Sequence, residues 1–172
     1  MAAMQIVDAD SHHLSAITDI FNHYILHTNA RFETSPLTLV DRREWFSQFA
    51  RNSRYQLLVA VEGGQVEGFA GSQPYRKTAA FCRTVETTIY LAPDRARRGI
   101  GTRLYSALFS RLSEQELNLA VAGIALPNES SIALHEKFGF RRVGTFEDYA
   151  IKNGQFLSAL WMQKHLERRQ DG

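Results

Sequence analysis

The chain has 172 residues, of which 44% are apolar and 22% charged, with a formal net charge of +2. That composition excludes a disordered chain, and so balanced a charge argues against a general nucleic-acid binder. No apolar run approaches the roughly 18 residues of a membrane span, the start Met1–Asp10 lacks the apolar stretch of a secretory signal, and Cys82, the single cysteine, cannot form an internal disulfide. A cytoplasmic, reducing setting with no membrane partner is the expectation.

Met4–Ala9 reads as a short strand. Asp10 or Ser11 caps a helix to about His27, with Leu14, Ile17, Ile20, Phe21, Tyr24 and Ile25 at helical spacing. Thr28–Pro36 is a loop. Leu39–Arg51 reads as a second helix with Trp45, Phe46 and Phe49 on one face. The period then drops to two. Gln56–Val61 and Val66–Ser72 are strands joined by the turn Glu62–Gln65, and Cys82–Leu91 is a third, longer strand. Ile100, Leu104, Ala107, Leu108, Arg111 and Leu112 mark a helix with one buried face. Leu119–Ala125 is almost wholly apolar, which predicts a strand buried on both faces. After Pro127 and Asn128, Ser130–Phe138 is a short helix stopped by Gly139. Arg141–Ile151 and Gln155–Met162 form a last hairpin about Lys152-Asn153-Gly154, and the tail from His165 is polar and expected to fray. The order β, α, α, β, β, β, α, β, α, β, β describes one α/β domain over residues 1–172, with a core at about 4–165 and a sheet of mixed direction carrying helices on its faces.

The third strand and the next helix are joined by Arg95-Ala96-Arg97-Arg98-Gly99-Ile100-Gly101-Thr102-Arg103. A helix start presents unpaired N–H groups and the positive end of the helix dipole. Gly99 and Gly101 let an anion approach the main chain, and Arg97, Arg98 and Arg103 add positive charge. A phosphate-bearing ligand suits this turn. A Walker loop would need a lysine after the glycines, and a dinucleotide fingerprint would need a third glycine where Leu104 stands. A tight turn with a solvated arginine face is the plain alternative.

A second stretch, Asn128-Glu129-Ser130-Ser131-Ile132-Ala133-Leu134-His135-Glu136-Lys137-Phe138-Gly139-Phe140, follows the next strand. With Pro93–Gly101 it resembles the paired signature motifs of the GCN5-related N-acetyltransferases, and the element order resembles that family over nearly the whole chain. The resemblance implies a mixed, mostly antiparallel sheet flanked by helices, acetyl-CoA as cosubstrate, and a diphosphate held by the glycine turn. A finer similarity, to the phosphinothricin and methionine sulfoximine N-acetyltransferases, rests on Asn22-His23-Tyr24-Ile25, Arg31-Phe32-Glu33-Thr34, Pro74-Tyr75-Arg76, Arg83-Thr84-Val85-Glu86 and Ser131–Glu136. It implies a small amino-acid-like amine as acceptor and a homodimer. Two positions depart from the wider family. Ala96 stands where an arginine or glutamine is usual, so phosphate binding falls to main-chain amides and neighbouring arginines. His135 stands where many relatives have tyrosine, as it does in the finer group.

Acetyl transfer needs a neutral amine, donors for the developing oxyanion, a departing thiolate, and substrates held in contact. Glu86, mid-strand just before the glycine turn, is the candidate base, working through water or with a pKa raised by burial. Alternation with Val85 also allows it to be a solvent-facing strand residue. His135 is the candidate for protonating the thiolate or helping to deprotonate the amine, against a simple packing role on its helix. The resemblance assigns the cosubstrate to Ile89, Tyr90, Leu91, Arg97, Arg98, Gly99, Ile100, Gly101, Thr102, Asn128 and Ser131, although Asn128 also suits a helix cap. It places Arg76, Lys77, Thr78, Thr87 and Thr88 along the acceptor site with Phe32 and Glu33 as its wall; by their chemistry Arg76 and Arg83 can fork onto a carboxylate, and Tyr75 offers an aromatic face. No spacing of His, Cys, Asp and Glu suggests a metal site. Alternatives from the same residues are acetylation of protein N-termini or aminoglycoside-like amines, and a non-catalytic acyl-CoA-binding module.

Overall fold

The computed structural model describes residues 3–95 and 98–166. Among them are seven strands and four α-helices, in the order β1 (Gln5–Asp8), α1 (Leu14–His27), α2 (Leu39–Phe46), β2 (Leu57–Glu62), β3 (Gln65–Pro74), β4 (Thr84–Leu91), α3 (Ile100–Leu112), β5 (Leu119–Ala125), α4 (Glu129–Lys137), β6 (Arg141–Lys152) and β7 (Gln155–His165). This is the order that the sequence predicts. One seven-stranded sheet runs β1-β2-β3-β4-β5-β7-β6. Each neighbouring pair is antiparallel except β4 and β5. Those two are parallel because the chain returns to the sheet through α3.

Strand alternation divides the apolar side chains between two faces. On β2, Leu57 and Val59 join Ile17, Ile20 and Phe21 of α1, with Phe69 from β3. Leu58 and Ala60 point the other way, to Ile100, Leu104, Tyr105, Leu108 and Leu112 of α3. The sheet is thus covered by α1 and α2 on one side and by α3 on the other.

Several predicted boundaries move. Residues Ser11–His13 form a 3-10 turn capped by Asp10, and the α-helix starts at Leu14. The second helix stops at Phe46 rather than near Arg51, because Asn52 turns the chain at φ 59 and the Ala50 N–H bonds to Tyr55 C=O at 2.9 Å. Ala79–Phe81 form a 3-10 turn, which delays the third predicted strand to Thr84. β7 runs on to His165, and the Leu166 N–H bonds to Asn118 C=O, while residues 167–172 of the predicted tail lie outside the described residues. Arg111 is not on the buried face of α3; it reaches out to an ion pair with Asp8, and Tyr105 takes the core position. β5 is not buried on both faces: Ala120, Ala122 and Ile124 are buried, whereas Gly123 is exposed. That second face opens onto a cleft.

Candidate active site

β4 and β5 pair only at Thr84 with Leu119, Val85 with Ala120 and Glu86 with Val121. Beyond Glu86 they part, although β4 continues along β3 as far as Leu91 and β5 along β7 as far as Ala125. The split leaves a cleft of about 1180 Å³ between two strand edges, closed at one end by the start of α3 and at the other by the loop after α1.

The α3 end is made mostly of main chain. Gly99 caps the helix at φ 73 with no side-chain bond to the helix start. A Cβ at Gly99 would meet nothing, whereas one at Gly101 would lie 3.2 Å from the Leu134 side chain. The first main-chain bond of the helix runs from Arg103 N–H to Gly99 C=O, so the amides of Ile100, Gly101 and Thr102 have no main-chain acceptor among the described residues. Thr102 Oγ1 accepts a bond from Lys137 Nζ at 3.2 Å, a cation supplied by α4. Arg98 is committed elsewhere: it donates to Glu62 at 2.7 Å and lies 3.7 Å from Glu67. Arg97 lies outside the described residues. Asn128 caps α4, its Oδ1 accepting from the Ser131 N–H at 3.2 Å, and both residues line the cleft. Ile89, Tyr90 and Leu91 line it from β4, and Tyr24 Oη donates to the Leu91 C=O at 2.8 Å.

Unpaired amides at a helix start, an open glycine and two parted strand edges fit a diphosphate followed by an extended, amide-bearing arm. The first suits the N–H groups of α3, and the second can lie along strand edges as a peptide would.

The other end is made of side chains. Glu86 lies in the cleft, and burial pushes its carboxyl above the ordinary glutamate range while the Arg31 charge pulls it back. Arg31 forks onto Glu33 through Nε and Nη2 and lies over the Phe21 and Tyr90 rings at 4.7 and 5.7 Å. Burial works to raise the Glu33 carboxyl, but the fork outweighs it and holds Glu33 below its usual range. Phe32 packs edge-on to Tyr149, and both line the cleft with Thr87, Thr88 and Trp161.

The loop carrying Arg31, Phe32 and Glu33 is pinned from two sides. Lys152, 2% exposed, donates from Nζ to the carbonyls of Ile25, Thr28 and Arg31 at 2.7, 2.9 and 2.8 Å. Three acceptors match the three N–H bonds of an ammonium, which also neutralises the carbonyl end of α1. Asn22 exchanges two bonds with the Leu37 main chain at 3.0 and 2.8 Å.

His135 is buried and both ring nitrogens are occupied. Nδ1 lies 2.7 Å from the Ser131 C=O, which can only accept, so Nδ1 carries the proton. Nε2 then accepts from Tyr105 Oη at 2.9 Å. Burial lowers the His135 pKa, which keeps the ring neutral, and raises that of the Tyr105 hydroxyl. Tyr105 Oη lies 3.5 Å from Thr87 Oγ1 and also lines the cleft.

The structure brings Phe32, Glu33, Glu86–Leu91, Gly99–Thr102, Asn128, Ser131 and His135 to one cleft. Tyr75, Arg76, Lys77, Thr78 and Arg83 are not in its lining. Tyr75 reaches the rim, edge-on to Trp161 at 6.1 Å. Arg76 lies over Tyr75 at 5.1 Å and is exposed, as are Lys77 and Thr78. Arg83 turns to Glu116 at 3.6 Å, at the paired end of β4. Arg31, Tyr105, Lys137, Lys152 and Trp161 have no site role that the sequence pattern predicts. Only Tyr105 leaves a local signal, since it follows Leu104 on the buried stripe of α3.

The Acetyltransferase (GNAT) family matches residues 17–140, a span that includes both strands of the split and both helix starts. The chain belongs to this family: it is an N-acetyltransferase, and acetyl-CoA is its acyl donor. Among its relatives, a phosphinothricin N-acetyltransferase of Streptomyces coelicolor is 40% identical over 167 residues, covering 96% of this chain and 98% of its own. An L-methionine sulfoximine/L-methionine sulfone acetyltransferase of Pseudomonas aeruginosa is 34% identical, with 94% of each chain covered. The crystal structure of a phosphinothricin acetyltransferase from Sinorhizobium meliloti in complex with acetyl-CoA superposes with a TM-score of 0.89 at 32% identity, covering 95% of this chain and 89% of that one.

Proposed function

We propose that this enzyme acetylates the primary amine of a small amino-acid-like acceptor, of the phosphinothricin or methionine sulfoximine kind, by direct transfer. The observation that carries this reading is Glu86, a part-buried carboxylate at the point where the two strands separate. Relatives named for those substrates, matched over nearly their full length, support the choice of acceptor class.

Acetyl-CoA supplies an activated acetyl carbonyl and a thiolate leaving group. The amides of Ile100, Gly101 and Thr102, with Asn128 and Ser131, would hold its diphosphate end, and Ile89, Tyr90 and Leu91 its arm. Glu86 takes a proton from the acceptor ammonium through water. Its raised pKa narrows the gap to an amine and makes that transfer less uphill. Tyr105 gives its single hydroxyl proton to Nε2 of neutral His135 at rest, and a turn of that hydroxyl toward the cleft would let it donate to the departing sulfur instead. His135 therefore acts through Tyr105. Phe32, Glu33 and Tyr149 wall the acceptor, which leaves Arg76, Lys77 and Thr78 for its outer rim.

The reading includes a homodimer in a cytoplasmic setting, with the chain as one domain. Exposed Val143, Phe146, Ile151 and Phe156 on the last hairpin support the dimer, and light scattering tests it. The decisive experiment is a thiol-release screen with acetyl-CoA over amino acids, their sulfoximine and phosphinic analogues, and short peptides. Release with the amino-acid analogues is expected. Release with peptides alone would replace this acceptor class by protein N-termini.

A further inference from the structure

A second, smaller cavity of about 290 Å³ opens beside the acceptor end of the cleft. Arg31, Glu33, Gln73 and Thr88 line both spaces, so the two adjoin. On its far side stands Arg42 of α2, 5% exposed. Its guanidinium lies over the rings of Trp45 at 3.6 Å and Phe21 at 3.9 Å, which fixes its plane. Its Nε and Nη2 are buried and have no hydrogen-bond acceptor among the described residues.

The other charged side chains around the cavity already have hydrogen-bond partners. Arg31 and Glu33 neutralise one another. Asp41 caps α2, accepting from the N–H and hydroxyl of Thr38 at 2.9 and 2.7 Å. Arg42 thus remains as a buried cation with two idle N–H groups, an arrangement that costs stability unless something else accepts from them. Burial first, and Arg31 second, lower its pKa to about 10 against the opposing pull of the Glu33 and Asp41 carboxylates, which leaves it charged at neutral pH. Gln73 adds a donor, because its Oε1 accepts from Trp45 Nε1 at 3.2 Å and the amide NH₂ remains for a ligand. Nε and Nη2 lie on one edge of a guanidinium and match the two oxygens of a carboxylate or phosphinate.

We infer that this side cavity is a subsite for a second acidic group of the acceptor, distal to the reacting amine, and that Arg42 selects acidic amino-acid-like acceptors over neutral ones of the same shape. The inference rests on the proposed acceptor class and goes beyond it by assigning the specificity to α2.

The test compares kcat/KM for phosphinothricin, whose side chain ends in an anionic phosphinate, with that for methionine sulfone, whose sulfone is neutral. Both are measured on the same preparation, so their ratio does not depend on the fraction of enzyme that is folded. The wild type is expected to favour phosphinothricin. In Arg42→Met that preference falls at least tenfold with the KM for acetyl-CoA unchanged. Arg42→Lys, which keeps the charge and is the milder change for folding, loses part of it. A ratio that stays within twofold of wild type in both variants overturns the subsite and leaves the acceptor class standing, as does a wild type that favours the sulfone. A wild type that acetylates neither compound overturns the acceptor class and the subsite with it.

Discussion

The two ends of the cleft are built from different materials. The α3 end offers amides that any helix start has, opened by Gly99 and braced by Gly101 against Leu134. The end that faces the loop after α1 offers charges gathered from four elements: Glu86 on β4, Arg31 and Glu33 on the loop, Arg42 on α2 and Lys152 on β6. A main-chain site tolerates many side chains around it, because its donors belong to the backbone. A site of buried charges holds its geometry only while each member keeps its partner. Substitutions at the first end should therefore act on acetyl-CoA binding, and those at the second on acceptor turnover and on stability.

Glu86→Gln should have the largest effect. Loss of a general base lowers kcat/KM by roughly 10²- to 10⁴-fold, while the acetyl-CoA Kd measured by calorimetry stays put. Equal losses in both would remove the contrast between the ends. The same variant should melt higher than wild type at neutral pH. Burial raises the Glu86 pKa, so the contribution of this group to folding is fully present below its unfolded-state pKa and is lost as pH rises through the folded value. The difference in melting temperature should shrink as pH falls through the carboxylate range, where both side chains are neutral.

Lys152→Met removes the ammonium from three main-chain carbonyls. We expect a loss on the order of 3 kcal/mol in chemical denaturation and a raised acceptor KM, with acetyl-CoA binding little changed once the protein is folded. A full-strength acceptor KM in this variant would show that the loop holds its position without the lysine.

Gly101→Val puts a branched side chain into the 3.2 Å approach to Leu134, at a cost of about 1 to 3 kcal/mol. Here the rise should be in acetyl-CoA Kd, with acceptor preference preserved. Tyr105→Phe leaves His135 Nε2 without its donor, costing about 1 to 2 kcal/mol in stability. Its signature is a lower kcat at unchanged acetyl-CoA Kd. An unchanged kcat would return the Tyr105 and His135 pair to a purely structural role. Gly99→Ala should be the mildest change, about 1 kcal/mol of strain from its positive φ, read as a small loss of thermal stability.

Much of this was legible in the chain itself, and the physical reasons are local. Strand alternation, the helical stripe of α3, Asn128 as a cap and Gly139 as a left-handed stop at φ 83 each depend on neighbours within a few residues. The α3 end of the cleft was readable for the same reason, since glycines ahead of an amphipathic helix announce free amides. Charge is where local reading failed. Arg98 looked like a phosphate ligand and pairs with Glu62 and Glu67; Arg83 looked like a carboxylate clamp and pairs with Glu116. An arginine reaches far, and its partner is whichever carboxylate the fold brings within that reach.

By itself, then, the sequence determined the order of strands and helices, the uncapped amides of α3 and the family to which the chain belongs, because these follow from backbone geometry and short-range pattern. Only the tertiary structure decided that β4 and β5 separate after Glu86, that Lys152 grips a loop more than a hundred residues earlier in the chain, and that Arg42 is buried with Nε and Nη2 lacking an acceptor among the described residues. Those features exist only when distant segments meet, and the energies of buried charges depend on that meeting rather than on any neighbour in the chain.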